Sequence, residues 1–221
     1  MLPTFKSFYN NTLKTFKESA DFRGLPWYTI HGHITIENGE KVIRGDVSLF
    51  DLKLTELPDL SDVKVLGSFR CENNQLQNLK GAPKYVSGGF SCYRNKLLTL
   101  EGAPEYVGDW FFCHENQLQT LEGAPKYVGG FFSCDNNSQL TSLKGVPKFI
   151  GGDLCWHDTN VTMEDFYENL LLSDVKGNPM YQVEDEGDHN YPESPMSNEE
   201  AYATAKAYKL YNTPLDYTID F

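Results

Sequence analysis

The chain has no long apolar run. None reaches the length of a membrane-spanning helix, and the first residues show no stretch of signal-peptide form, so neither a span nor a secretory leader is expected. A basic excess is also missing. The formal charge is −12, from 19 Lys and Arg against 31 Asp and Glu, which leaves no electrostatic footprint for nucleic acid. Histidine and cysteine are few, at five each, and no set of them converges in the way metal ligands do. His31 and His33 sit on one side of an expected strand, but the sequence offers no third ligand. The glycine pairs at 88–89, 129–130 and 151–152 lead into strands rather than helices, so they are not phosphate loops. No nucleophile stands beside a usable base. Cys113 adjoins His114, but neighbouring strand residues face opposite ways. The expectation is therefore of no catalytic residues, no metal and no cofactor.

What the chain has in quantity is repetition. Cys71, Cys92, Cys113 and Cys134 recur every 21 residues, and each opens nearly the same phrase, such as CENNQLQNLKGAPKYV and CHENQLQTLEGAPKYV. A period of that length means one small unit copied along an axis. Phe69, Phe90, Phe111 and Phe132 precede the cysteines by two, which puts Phe and Cys on the same inward face of a short strand. Asn74, Asn95, Asn116 and Asn137 follow by three, placed to bond backbone groups where strand turns to loop. Cys155 also lies 21 residues after Cys134, but an extra residue near Ser138 shifts the phase. Trp156 then continues the inward column and Cys155 turns outward. Inward thiols repeated at a core column predict reduced cysteines in a reducing cytosol.

The pattern C-x-x-N-x-L-x-x-L beside an alternating strand resembles a leucine-rich repeat, with Cys and Phe at leucine positions. The short period and the proline-bearing return resemble the repeats of bacterial secreted effectors. Phrases of the form L-x-G-A-P-K-Y-V-G-G-x-F-x-C resemble repeat proteins common among tailed-phage products. The resemblance covers 63–157 strongly and 45–62 weakly. It implies a leucine-rich-repeat-like solenoid of short parallel strands with irregular or extended return segments, and it is nearly silent on activity.

The rest divides around the repeats. Residues 1–44 predict an N-terminal cap, with an amphipathic helix over 3–22 and a hairpin turning at Asn38-Gly39. Residues 45–157 are the repeats. Residues 158–176 predict a capping helix opened by Thr162, 177–196 an acidic linker, and 197–221 a second helix opened by a capping box at Ser197, with a tail. The charge is uneven. Residues 158–221 carry 14 acidic and three basic groups, while 1–157 carry 17 and 16.

Outward columns flank the inward one, and most copies are polar there. The 113 repeat departs from this with Asp109-Trp110-Phe111-Phe112, of which only Phe111 is needed inside. Superposing the repeats gathers Tyr93, Trp110, Phe112, His114 and Phe131 on one strand face. Exposed aromatic groups of this size mark interaction sites. The expectation is a non-enzymatic, cytoplasmic module that binds another protein through that face. By the phage-like resemblance the partner would be a host protein, such as a defence component, that the module inhibits. Other readings are that the C-terminal helix folds back over the patch, that the acidic C-terminal third mimics a polyanion, or that the chain self-associates as a homo-oligomer or virion component.

Overall fold

The computed structural model describes residues 34–177, 179–180 and 198–212. The expected helix over 3–22, His31, His33, Ser197, most of the acidic linker and the C-terminal tail lie outside the described residues. The described residues start with the hairpin β1 (Ile34–Glu37) and β2 (Glu40–Arg44), where Glu37 pairs with Glu40. Asn38 and Gly39 both take positive φ, 51° and 84°, as a two-residue hairpin turn of this kind requires.

Each later turn of the chain gives one strand to each of two sheets. β3 (Val47–Ser48), β5 (Phe69–Arg70), β7 (Phe90–Ser91), β9 (Phe111–Phe112), β11 (Phe132–Ser133), β13 (Leu154–Cys155) and β15 (Pro179–Met180) form a seven-stranded parallel sheet, called the cysteine sheet below. β4 (Val63–Leu66), β6 (Tyr85–Val86), β8 (Tyr106–Val107), β10 (Tyr127–Val128), β12 (Phe149–Ile150) and β14 (Asp174–Val175) extend the hairpin into an eight-stranded sheet, the tyrosine sheet. The fold is a repeat solenoid of short parallel strands. The return segments are more regular than expected. After Gly-Ala-Pro, the Tyr-Val pair of each repeat forms its own strand, with valine buried and tyrosine half-buried. Two β-prone residues per copy suffice because identical copies stand on either side to complete the ladder.

The core lies between the sheets. Phe69, Phe90, Phe111 and Phe132 stack in a file, with ring centroids 5.2–5.3 Å apart and planes within 8°. Each such contact adds about 1 kcal/mol to the area it buries. Beside them run Cys71, Cys92, Cys113 and Cys134, all buried and free. Each thiol donates to a carbonyl of the next rung, 3.3–3.4 Å away. Burial pushes these thiols well above the usual cysteine range, so they stay protonated and unreactive. Ser133 pairs with Cys155, so Trp156 continues the inward column, as its phase predicts. The extra residue at Ser138 is taken up in a turn closed by Leu140 N–H on Asn137 carbonyl, 2.8 Å.

The asparagines hold the corner. Asn116 Nδ2 donates to the carbonyls of Cys92, Cys113 and His114 at 3.1–3.2 Å, and its Oδ1 accepts from Leu97 N–H at 3.0 Å. Asn74, Asn95 and Asn137 repeat this. One residue before each asparagine the backbone turns left-handed, at Asn73, Arg94, Glu115 and Asn136 with φ of 51–56°.

The C-terminal end of the stack is closed by α1 (Met163–Leu170). Thr162 caps it, its hydroxyl accepting from Asp165 N–H at 3.2 Å. Phe166 stacks on Trp156 at 5.0 Å, and Leu170 is buried with it. α2 (Asn198–Asn212) packs on α1 through Ala201 and Ala205. Among the described residues no helix is long and apolar enough to cross a membrane.

Candidate partner-binding surface

Strand alternation turns three residues of each rung outward from the cysteine sheet: the third before the cysteine position, the one before it and the one after it. In the rung of β9 these are Trp110, Phe112 and His114. Trp110 and Phe112 stack at 4.7 Å, and Phe112 meets His114 at 5.8 Å in a tilted arrangement. His114 in turn stacks on Tyr93 of the preceding rung at 4.6 Å, with the Arg94 guanidinium 5.7 Å over the Tyr93 ring. Four of the five expected residues therefore form one continuous aromatic run. Phe131 stands in the following rung, 50% exposed, with no ring contact to the other four.

Trp110 lies where it does because the rung before it carries glycine. A Cβ placed on Gly89 would sit 2.1 Å from Trp110 Cε2, so the indole rests directly on bare backbone. Any larger residue at 89 would push the ring outward and break its contact with Phe112.

The polar surroundings were not expected from the sequence. Ser133 Oγ lies 3.1 Å from both Asp135 carboxylate oxygens and 3.1 Å from His114 Nδ1. With the hydroxyl donating to Asp135, it accepts from His114 Nδ1–H. Asp135 also faces His157 Nε2 at 3.4 Å. Serine, histidine and aspartate are thus together, but the serine sits in the middle. A nucleophilic serine needs imidazole to receive its proton and a carboxylate to hold that imidazole. Here the serine proton points at the carboxylate, and the group serves to hold the His114 ring against Tyr93. Among the described residues no group of three or more His, Cys, Asp or Glu side chains is placed to hold a metal ion.

Glu72 and Ser91 also depart from expectation. Both occupy outward positions, yet Glu72 is fully buried and Ser91 nearly so. Arg70 takes Glu72 Oε1 at 2.6 and 2.8 Å. Among the described residues, Glu72 Oε2 and Ser91 Oγ have no hydrogen-bond partner.

Burial holds the His114 pKa below the usual histidine value; the carboxylates of Asp135 and Glu115 oppose this, and Arg94 and His157 add to it. The unfolded chain then binds the extra proton below about pH 6.5 more readily than the folded one. The stability that neutral His114 contributes is complete above that pH and is lost as pH falls toward the lower folded value. Thermal melts between about pH 7 and about pH 5 are expected to drop more steeply for the native chain than for His114→Asn. Parallel profiles would show that the ring is not held neutral.

The alternative in which the C-terminal helix folds over the patch does not hold for α2. The Tyr202 hydroxyl donates to the Ser173 carbonyl and accepts from Val175 N–H, and Tyr208 meets Tyr167 at 5.8 Å, so α2 is tied to the end of the stack. No protein-family model, no curated protein and no solved structure matches the chain.

Proposed function

We propose that the chain is a protein-binding module whose outer face on the cysteine sheet docks another protein through Trp110, Phe112, His114, Tyr93 and Phe131. The observation that carries this reading is the aromatic run itself. Its rings pack on one another and on Gly89, so the surface is already arranged before any partner arrives, and little side-chain freedom remains to be lost on binding. Trp and Tyr are also the residues that most often dominate binding energy. A solenoid suits such a role because it offers a long, rigid, one-sided surface. The resemblance of the repeats to phage products suggests a host protein as the partner.

The test is affinity capture followed by mass spectrometry, comparing the native chain with Trp110→Ala/Phe112→Ala. Loss of one or two hot-spot side chains costs about 2–4 kcal/mol, so the double substitution is expected to weaken capture by about 30-fold or more. Circular dichroism should show an unchanged fold, since neither side chain enters the core. Tyr106→Ala, on the opposite sheet, is expected to leave capture intact. A partner retained equally by all three chains would place the docking surface elsewhere.

A further inference from the structure

The fold sorts charge that the sequence mixes. Residues 1–157 are almost balanced in sequence, at 17 acidic and 16 basic groups. On the cysteine sheet from β3 to β13, the outward positions carry Asp46, Glu72, Asp135 and Asp153 against Arg70 alone. The left-handed positions at its rim add Asp51, Glu115 and Asp158 against Lys53 and Arg94. Seven carboxylates face two guanidiniums and one ammonium, a net −4, and both guanidiniums are bound to glutamates within the set, Arg70 to Glu72 and Arg94 to Glu115. The tyrosine sheet has the opposite sign. From β4 to β14, its outward residues and those just before them carry Lys64, Lys84, Lys126, Lys148 and Lys176 against Glu105 and Asp174, a net +3.

We propose that the outer face of the cysteine sheet receives a basic protein segment, one in which Lys or Arg alternates with apolar side chains. This rests on the docking function proposed above. The apolar side chains seat on Trp110 and Phe112, and the cations meet Asp135 and Asp158 one and two rungs further on. Other occupants fit less well. Nucleic acid is repelled by the sign of the face. A second copy presenting the same face brings like charge against like. A second copy presenting its tyrosine sheet has the right sign, and the test separates it.

The test uses the full chain and two fluorescein-labelled extended octapeptides, one alternating lysine with leucine and one alternating glutamate with leucine. Fluorescence anisotropy is expected to show binding of the lysine peptide alone, weakening at least about fivefold from about 50 mM to about 500 mM salt. Asp135→Asn/Asp158→Asn is expected to weaken it by about 3- to 10-fold. Asn at 158 repeats the residue found at 73 and 136, so the left-handed turn is kept. Equal binding of both peptides, no binding of the lysine peptide, or indifference to salt overturns the proposal. If a protein captured through Trp110 and Phe112 ignores both salt and the Asp135→Asn/Asp158→Asn change, the docking surface stands and its preference for basic partners falls. If Trp110→Ala/Phe112→Ala leaves the lysine peptide bound as before, the peptide is not on this face and the proposal falls. Sedimentation showing a dimer that Lys126→Glu/Lys148→Glu dissolves would make a second copy the occupant and overturn it equally.

Discussion

Replacing Asn116 with leucine is expected to lower stability by about 4 kcal/mol and the melting temperature by about 10 °C. The size follows from what each bond partner has left. The carbonyls of Cys92, Cys113 and His114 keep other donors, namely Asn95 Nδ2, Asn137 Nδ2 and Arg94 N–H. Leu97 N–H keeps nothing, since Asn116 Oδ1 is its acceptor. The cost is therefore three weakened carbonyls and one orphaned buried donor, the last about 1–3 kcal/mol by itself. Leucine fills the volume, so a cavity does not confuse the result. Asn116→Thr should be milder, by about half. Thr159 stands at the equivalent position of the last rung, where its hydroxyl bonds the Trp156 carbonyl at 2.9 Å. Equal melting temperatures for the two variants would show that the asparagine column contributes volume rather than hydrogen bonds.

Gly129→Ala adds a single methyl group and is expected to cost about 3 kcal/mol or more. An ideal Cβ there would lie 2.1 Å from the Gly108 carbonyl oxygen and 2.8 Å from its carbon. Nonbonded carbon and oxygen ordinarily stay about 3.3 Å apart. The obstructing atoms are backbone, in a stretch held to its neighbours by Gly108 N–H on Val86 carbonyl and Gly129 N–H on Val107 carbonyl, each 2.9 Å. Gly129 does not take a left-handed φ, so the whole effect is contact. Gly39→Ala isolates the other cause. Gly39 has φ of 84° with nothing near its Cβ position, and its substitution should cost about 1–2 kcal/mol. Comparing the two melts checks this. A smaller loss at Gly129 than at Gly39 would mean that neighbouring rungs move apart easily.

Much of the inner half of the fold was legible in the sequence, because it is written in columns. The cysteine period, the phenylalanine two residues earlier and the asparagine three residues later each mark one position of a rung. The same phase reasoning placed Trp156, rather than Cys155, in the core. The tyrosine sheet was less legible. Its strands from β6 onward are two residues long, too short to show alternation within one copy. Its outer stripe is informative only when the copies are superposed: Tyr85, Tyr106, Tyr127 and Phe149 stack at 4.7–4.8 Å, with Lys64 and Lys176 over its two ends.

The candidate surface was legible as a set of columns but not as a set of contacts. Superposition brought Trp110, Phe112, His114 and Tyr93 into one neighbourhood. It could not show that Gly89 makes room for the indole, that Ser133 reaches back to His114, or that Glu72 is buried under its own rung's arginine. Those depend on side-chain rotamers across rungs. The sorting of charge escaped for a different reason. A carboxylate at 135 and a lysine at 148 are close in sequence but belong to opposite sheets, so any local window averages them to zero.

The single extra residue at Ser138 shows where this architecture accepts change in length. Tyr127 and Phe149 lie 22 residues apart rather than 21, yet they stack as the other copies do. A residue gained at that corner swells a turn and leaves both flanking strands in place. A residue gained between Gly129 and Cys134 would instead rotate the strand by one position, turning Phe132 to water and Ser133 inward. Drift in such a chain is therefore confined to its corners, or proceeds by whole copies, and surfaces on the two sheets can diverge without the spacing of either being disturbed.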